Sequence, residues 1–292
     1  MFTQFLITGI ALGAVYALIS VGFALIFNVL KFSNFSHGGV MVFCAYMGYL
    51  AATRLHTGLF LTLLLSAVIG GLLAVGIEFV GFRKIRNSNR DPVLYFVSTV
   101  TITTFLGNSM TIFFSSSFYS YPNFFEKPYV KILNANISII DIIMLLISMV
   151  ALVILIWFLY RTRLGVAIRA ISMDSRTTSL MGVNATLIIL ATFFVSGAFG
   201  GLAGVFLGLK YTLYPQLGDL VVKGFVASLM GGLGNITGAI VGAFLLAIIE
   251  TLLTSVDFIG AGLSPVFIFV LVIILLFVRP QGLMGKSSIQ KA

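Results

Sequence analysis

The sequence is short of the residue types on which soluble chemistry relies. Charged residues fill 9% of 292 positions, with eight acids, two histidines and one cysteine. A single cysteine, Cys44, forms neither an internal disulfide nor a cysteine metal cluster, so packing is its expected role. His37 and His56 have no carboxylate or cysteine partner at ligand spacing, and no metal site is expected. No Ser/His/Asp set stands out, so no catalytic residue is assigned. Gly285-Lys286-Ser287 resembles the end of a phosphate-cradling loop. The glycine required five positions earlier is Pro280, however, and the segment follows an apolar block rather than a strand. The chain is expected to bind no ATP and no other cofactor. No basic residue precedes the first apolar block, which argues against a cleaved signal peptide.

Apolar residues are abundant, at 60%, and they come in long blocks. From Gly58 to Phe82 the only ionisable group is Glu78. About 20 such residues cross the roughly 30 Å hydrocarbon layer of a bilayer. Within lipid the backbone must satisfy its own hydrogen bonds, which uninterrupted apolar runs do as helices. The blocks are Phe5–Phe27, Gly38–Thr53, Gly58–Gly81, Pro92–Phe114, Ser138–Tyr160, Asn184–Leu209, Leu220–Leu233, Ile236–Thr254 and Leu263–Val278. The expected fold is an all-α polytopic membrane protein with eight to ten transmembrane helices, some broken or re-entrant. Gly38–Thr53 and Leu220–Leu233 are short enough to be tilted, re-entrant or fused with a neighbour. The longest connections, 115–137 and 161–183, leave no room for a soluble domain, so residues 1–292 form one membrane domain.

The net charge of +9 is a matter of placement and does not indicate nucleic acid binding. Short cytoplasmic loops collect Lys and Arg. Lys31, then Arg83, Lys84, Arg86 and Arg90, then Arg161, Arg163, Arg169 and Arg176, then Arg279, Lys286 and Lys291 fall on one side of a nine-crossing chain. Arg54, Lys127, Lys131, Lys210 and Lys223 fall on the other. This predicts an external N-terminus and a cytoplasmic C-terminus. Three acids lie in or near the blocks. Glu78 is expected to pair with Arg83 one turn on, and Asp141 to form a capping box with Ser138. Glu250 has no basic neighbour in sequence and faces either a hydrated cavity or the outer interface.

Three polar or glycine-rich stretches interrupt the blocks. In 161–184, Leu164, Ala167, Ile168 and Ile171 fall at helical spacing, with Arg169 and Arg176 directed elsewhere. A short amphipathic helix is predicted, ended by Gly182, with Asn184 capping the next span. It either lies on the membrane surface or docks into a cytoplasmic partner. Gly197, Gly200, Gly201, Gly204 and Gly208 make small-x-x-x-small pairs suited to close helix packing. Gly231-Gly232-Leu233-Gly234-Asn235 is too glycine-dense for helix and reads as a cytoplasmic turn. Asn34-Phe35-Ser36-His37-Gly38-Gly39 is either a helix break within the bilayer or an ordinary cytoplasmic turn. In the outer loop, Phe118, Tyr119, Tyr121, Phe124, Phe125 and Tyr129 either meet an external protein partner or form an interfacial belt, and the belt is the expected reading.

In this order, these stretches resemble the permeases of branched-chain amino acid ABC importers, specifically the shorter of their two permease types. Five elements carry the resemblance across nearly the whole chain. They are Gly13-Ala-Val-Tyr16-Ala-Leu, the Asn34–Gly38 break, the Leu164–Asn184 loop, Leu229-Met-Gly-Gly-Leu-Gly234 with Gly238 and Glu250, and Arg279-Pro280-Gln-Gly282-Leu. Ser36 and Gly39 depart from the family's usual alanine and acid, and Thr177-Thr-Ser179 is less alanine-rich than usual.

The resemblance implies a multi-pass permease of the bacterial inner membrane. Its partners would be a second permease subunit, two ATP-binding subunits that use ATP and Mg, and an extracytoplasmic solute-binding protein. It also implies a coupling segment at 161–184 carrying Arg163, Leu164, Gly165, Arg169, Asp174 and Gly182. The translocation path would be lined near Asn34, Ser36, His37, Gly38, Gly231, Gly232, Gly234 and Glu250. A permease for urea or short amides, or an ion-coupled secondary transporter, is the alternative.

Overall fold

A computed structural model describes residues 2–87, 92–125, 129–132, 135–256, 258 and 260–285. Arg90, Lys127, Lys286 and Lys291, and the side chain of Lys131, lie outside the described residues. The chain is mainly a succession of α-helices. In order these are α1 (Phe2–Leu30), α2 (Ser36–Arg54), α3 (Leu59–Ile77), α4 (Arg83–Asn87), α5 (Pro92–Phe114), α6 (Ile139–Arg161), α7 (Arg163–Met173), α8 (Ser175–Leu180), α9 (Ala185–Lys210), α10 (Val221–Gly231), α11 (Ile236–Thr254) and α12 (Gly260–Val278). A π-helical turn at Glu78–Phe82 joins α3 to α4, and a 3-10 turn at Pro215–Leu220 leads into α10. Among the described residues, the exception to an all-α chain is a small hairpin of β1 (Tyr129–Ile132) and β2 (Ala135–Ser138), paired antiparallel.

Among the described residues, six helices are long and apolar enough to cross a bilayer: Gln4–Leu30, Leu59–Arg86, Val93–Phe114, Ile139–Arg161, Ala185–Lys210 and Ile236–Thr254. Gly262–Val278 is apolar but shorter. The block Leu220–Leu233 contains only the eleven-residue α10. At 1.5 Å per residue, that helix spans about 16 Å, half a bilayer. Large apolar side chains of α3, α5, α6 and α12 stand exposed, among them Phe60, Leu72, Phe105, Phe113, Trp157 and Phe277. A soluble monomer does not tolerate apolar surface on this scale; lipid covers it.

The centre of the bundle is α1, whose side chains from Ala14 to Ala24 are almost wholly inaccessible. It packs against α6, α9, α10 and α11, while α3 lies along α9. Without a hydrophobic force between helices in lipid, small residues set the contact distance. A methyl group at Gly197 would lie 2.2 Å from the Gly70 carbonyl oxygen, and one at Gly201 would lie 2.1 Å from that of Ser66. Gly197, Gly201 and Gly204 of α9 are therefore contact surfaces between backbones, while Gly200 and Gly208 make room for the His37 and Tyr121 rings; close helix packing is what their spacing predicted.

The break after α1 lies inside the membrane domain and is not an ordinary cytoplasmic turn. Lys31 closes α1 in the left-handed region, at φ 58°, with its amide on the Phe27 carbonyl at 2.9 Å. The chain then climbs back, so that His37 packs against Gly22, about 12 Å before the end of α1. The freed backbone groups find partners there. Asn34 Oδ1 accepts from the Ser36 amide at 3.2 Å and its hydroxyl at 2.6 Å. The Phe35 carbonyl accepts from the Gly38 amide at 3.0 Å and from Thr103 Oγ1 of α5 at 2.7 Å. Rings of Phe23, Phe35, Phe96 and Phe225 pack together at the same level.

Several local expectations need correction. Glu78 pairs with Arg86, and Arg83 instead lies over the Phe79 ring, because the π-helical turn shifts the register. Ser138 makes no side-chain cap; Asp141 is buried and meets Lys210 Nζ at 2.6 Å. A buried carboxylate gains more from a cation than from a cap. Nor do the outer aromatics form a simple belt. Tyr121 is buried, with its hydroxyl donating to the Ala45 carbonyl at 2.6 Å. Tyr119 exchanges two 2.9 Å backbone hydrogen bonds with Leu213. Phe118 and Tyr129 remain exposed.

Candidate functional site

Two regions gather the side chains a transport protein would use. The first lies between α1, α10 and α11. Lys223, the third residue of α10, donates to Glu250 of α11 and, at 3.0 Å, to the hydroxyl of Tyr16 on α1. Tyr16 in turn donates to the second Glu250 oxygen at 3.1 Å. Three helices are thus tied by one charged cluster whose tyrosine is wholly buried. Glu250 accordingly faces a cationic partner inside the bundle, and Lys223 leaves the outer-loop set. The signal was present in the sequence: Lys223 falls inside an apolar block, where a charge needs a partner.

The other residues expected along a path do not converge on Glu250. Asn34, Ser36 and His37 are buried at the break. His37 sits between Gly22 and Gly200, where methyl groups would lie 2.7 and 2.9 Å from its Cε1. Its Nδ1 is 3.5 Å from Ser196 Oγ, and Nε2 has no partner among the described residues. Gly38 abuts the carbonyl of Gly218, ahead of α10. Gly231, Gly232 and Gly234 form the turn before α11, with φ of 110° at Gly232 and 79° at Gly234. Segment 283–284 is laid across that turn, its amides donating to the carbonyls of Met230 (2.8 Å) and Gly231 (3.0 Å). Gly234 lies just ahead of α11, and fourteen helical steps from Ile236 lead to Glu250, about 21 Å. The turn and the charged cluster therefore lie at opposite ends of α11.

The second region is the segment between α6 and α9. It is two helices, where one was expected. Thr162 caps α7 by accepting from the Gly165 amide at 3.1 Å. Asp174 ends α7 and caps α8, accepting from the amides of Arg176 (2.9 Å) and Thr177 (3.2 Å) and from the Thr177 hydroxyl. These bonds, led by that of the Thr177 side chain, hold the Asp174 carboxyl below its usual pKa. The cap therefore stabilises α8 above the ordinary carboxylate range and is lost as pH falls through the lowered value. Gly182, at φ 84°, ends the segment, and Asn184 caps α9 from the Leu187 amide at 3.2 Å.

The inward face of α7 is also rotated relative to the expectation. Gly165, Ile168 and Ile171 are buried, while Leu164 is exposed. Gly165 takes the inner position because a methyl group there would lie 2.3 Å from the Phe158 carbonyl oxygen. Arg169 is held back, its guanidinium 4.8 Å from the Tyr160 ring of α6. Arg163 and Arg176 are exposed. Met173, Leu180 and Met181 are each more than 80% exposed, an apolar set outside the membrane-spanning helices. Spacing within 161–184 did not single them out.

The profile of the family described as branched-chain amino acid transport system / permease component matches residues 5–278. The chain belongs to that family. Three relatives align over 99% of the chain. Its identity is 30% over 307 residues with the high-affinity branched-chain amino acid transport system permease protein LivH of Escherichia coli K12, covering 97% of that protein. It is 30% over 304 residues with the corresponding BraD of Pseudomonas aeruginosa, covering 98%, and 29% over 304 residues with LivH of Salmonella typhimurium LT2, covering 97%. No solved structure matches the chain. As a member of this permease family the chain is a multi-pass transport protein and not an enzyme. ABC permeases of this kind work with ATP-hydrolysing and solute-binding partners.

Proposed function

We propose that this permease is one membrane half of an ATP-driven importer that moves branched-chain amino acids across a bacterial inner membrane into the cytoplasm. It pairs with a second copy or a homologous permease, two ATP-binding subunits and one extracytoplasmic binding protein. The ATP and Mg2+ belong to the ATP-binding subunits. Full-length similarity to three permeases named for this transport carries the substrate assignment.

Segment 161–184 is the lever. Gly165 lets α7 seat on α6, Arg169 clamps it to Tyr160, and Asp174 and Gly182 shape α8. Arg163, Leu164 and the exposed Met173, Leu180 and Met181 are free to enter an ATPase groove. Motion there is transmitted to the α1–α10–α11 cluster, where Glu250 and Lys223 offer the two charges that match a zwitterionic amino acid. Asn34, Ser36, His37 and Gly38 border the path at the break of α2, and Gly231, Gly232 and Gly234 border its cytoplasmic end.

Gly165 is a poor probe of docking, since any side chain there disrupts packing within this chain. Leu180→Glu tests docking directly. The variant should insert and fold normally but lose co-purifying ATPase, with leucine-stimulated ATP hydrolysis reduced at least tenfold. Normal association and stimulation would rule out the lever. Stimulation by urea but not by leucine-loaded binding protein would rule out the substrate.

A further inference from the structure

A cavity of about 510 Å³ opens between the ends of α1 and α6, α7, and the turn into α11, the end of the bundle that the placement of Lys and Arg assigns to the cytoplasm. Its walls carry Lys31, Asn28, Arg169, Tyr160, Ile236 and Thr237. Lys31 and Arg169 are both cationic, and neither meets a carboxylate among the described residues. Arg169 Nε is buried without a hydrogen-bond partner there, although its guanidinium stacks on Tyr160. The amides of Ile236 and Thr237, at the positive end of the nineteen-residue α11, likewise donate to no acceptor among the described residues. Two cations, a partnerless guanidinium nitrogen and free amides at a helix start all call for one anion with several oxygens.

The geometry points to a binding site for the phosphate of an anionic phospholipid from the inner leaflet. The position of the opening selects a lipid over a soluble phosphate. Tyr160, at its mouth, is exposed, and on the same helix Val150, Val153, Ile154 and Trp157 form the apolar outward stripe. Acyl chains can lie along that stripe while the headgroup enters the cavity, as basic pockets between membrane helices take anionic headgroups. The site joins α6, α7 and the α10–α11 turn, so the lipid would act as a strut beneath the segment that connects α6 to α9.

Native mass spectrometry of the full-length protein in non-ionic detergent tests this. Dioleoyl phosphatidylglycerol and phosphatidylcholine would be offered at equal mole fraction. One phosphatidylglycerol should be retained per chain in preference to phosphatidylcholine. Lys31→Gln and Arg169→Gln should each weaken its binding about fivefold, the worth of one basic group at a lipid surface. Lys84→Gln, at an exposed residue of α4 outside the cavity, should leave binding unchanged. If Arg169→Gln fails to fold, Arg169→Lys serves instead and should keep most of the affinity. Equal retention of phosphatidylcholine would overturn the proposal. So would equal weakening by Lys84→Gln, which signals diffuse attraction, or glycerol 3-phosphate binding as tightly as the lipid, which signals a free-anion site.

Discussion

Gly201→Leu should leave almost no folded protein in detergent, whereas Gly76→Leu should be recovered at the normal level. The two glycines sit on the closely packed pair α9 and α3, but their surroundings differ. A methyl at Gly201 would lie 2.1 Å from the Ser66 carbonyl oxygen, where ordinary contact is 3.4–4 Å. Nothing stands within 4 Å of one at Gly76. The obstruction at Gly201 is backbone, which cannot swing aside as a side chain does. Relief requires α3 and α9 to separate by roughly 1 Å along their length, which would also open the Gly70–Gly197 contact. The expected cost is at or beyond the upper end of the ~1–3 kcal/mol that overpacking a tight core exacts. Gly201→Ala should fall between. The measure is the share of protein in the monodisperse peak after a temperature ramp; equal recovery of the two leucine variants would refute the close approach.

The second large effect concerns the cluster of Tyr16, Lys223 and Glu250. Glu250→Met or Lys223→Met alone should destabilise the protein by about 3 kcal/mol, while the double substitution should cost far less. Removing one partner strands the other charge in a low-dielectric bundle. Removing both exchanges an ion pair for packed methionines. The lower end of the range for broken buried pairs is appropriate because the Lys223 and Glu250 side chains retain 25% and 12% exposure. Tyr16→Phe removes the bridging hydroxyl and should cost about 1 kcal/mol. Unfolding transitions of the four proteins close a double-mutant cycle. If the double variant is as unstable as the sum of the singles, the charges do not interact. If it regains stability but not leucine transport, the pair has a role on the path as well as in the fold.

The membrane class, the helical content and the close packing of α9 were legible because they depend on composition and local spacing. Apolar blocks of the right length have few alternatives in lipid, and the glycine spacing of α9 is unchanged by what it meets. The cluster at Glu250 was not legible, because its cation lies 27 positions away and its tyrosine 234. Counting Lys223 with an outer loop followed from treating every charge as a loop marker. Register accounts for the errors at Glu78 and α7. One π-helical turn moves a carboxylate from Arg83 to Arg86, and one residue of rotation turns Leu164 outward while Gly165 turns inward. The depth of the α2 break was undecidable from the chain alone, since Asn34 and Ser36 form the same local turn at any level. Tertiary contacts place it: His37 with Gly22 and Gly200, Gly38 with Gly218, and the Phe35 carbonyl with Thr103.

A permease moved by partner ATPases has no means of concentrating a solute unaided, so uptake of radiolabelled leucine into proteoliposomes is the most direct measurement. Vesicles containing this chain alone should equilibrate leucine at most, with or without an imposed sodium or proton gradient. Accumulation should appear only with the second permease, both ATP-binding subunits, the binding protein and ATP, and should vanish when ATP is withheld. Gradient-driven accumulation by the isolated chain would contradict the account.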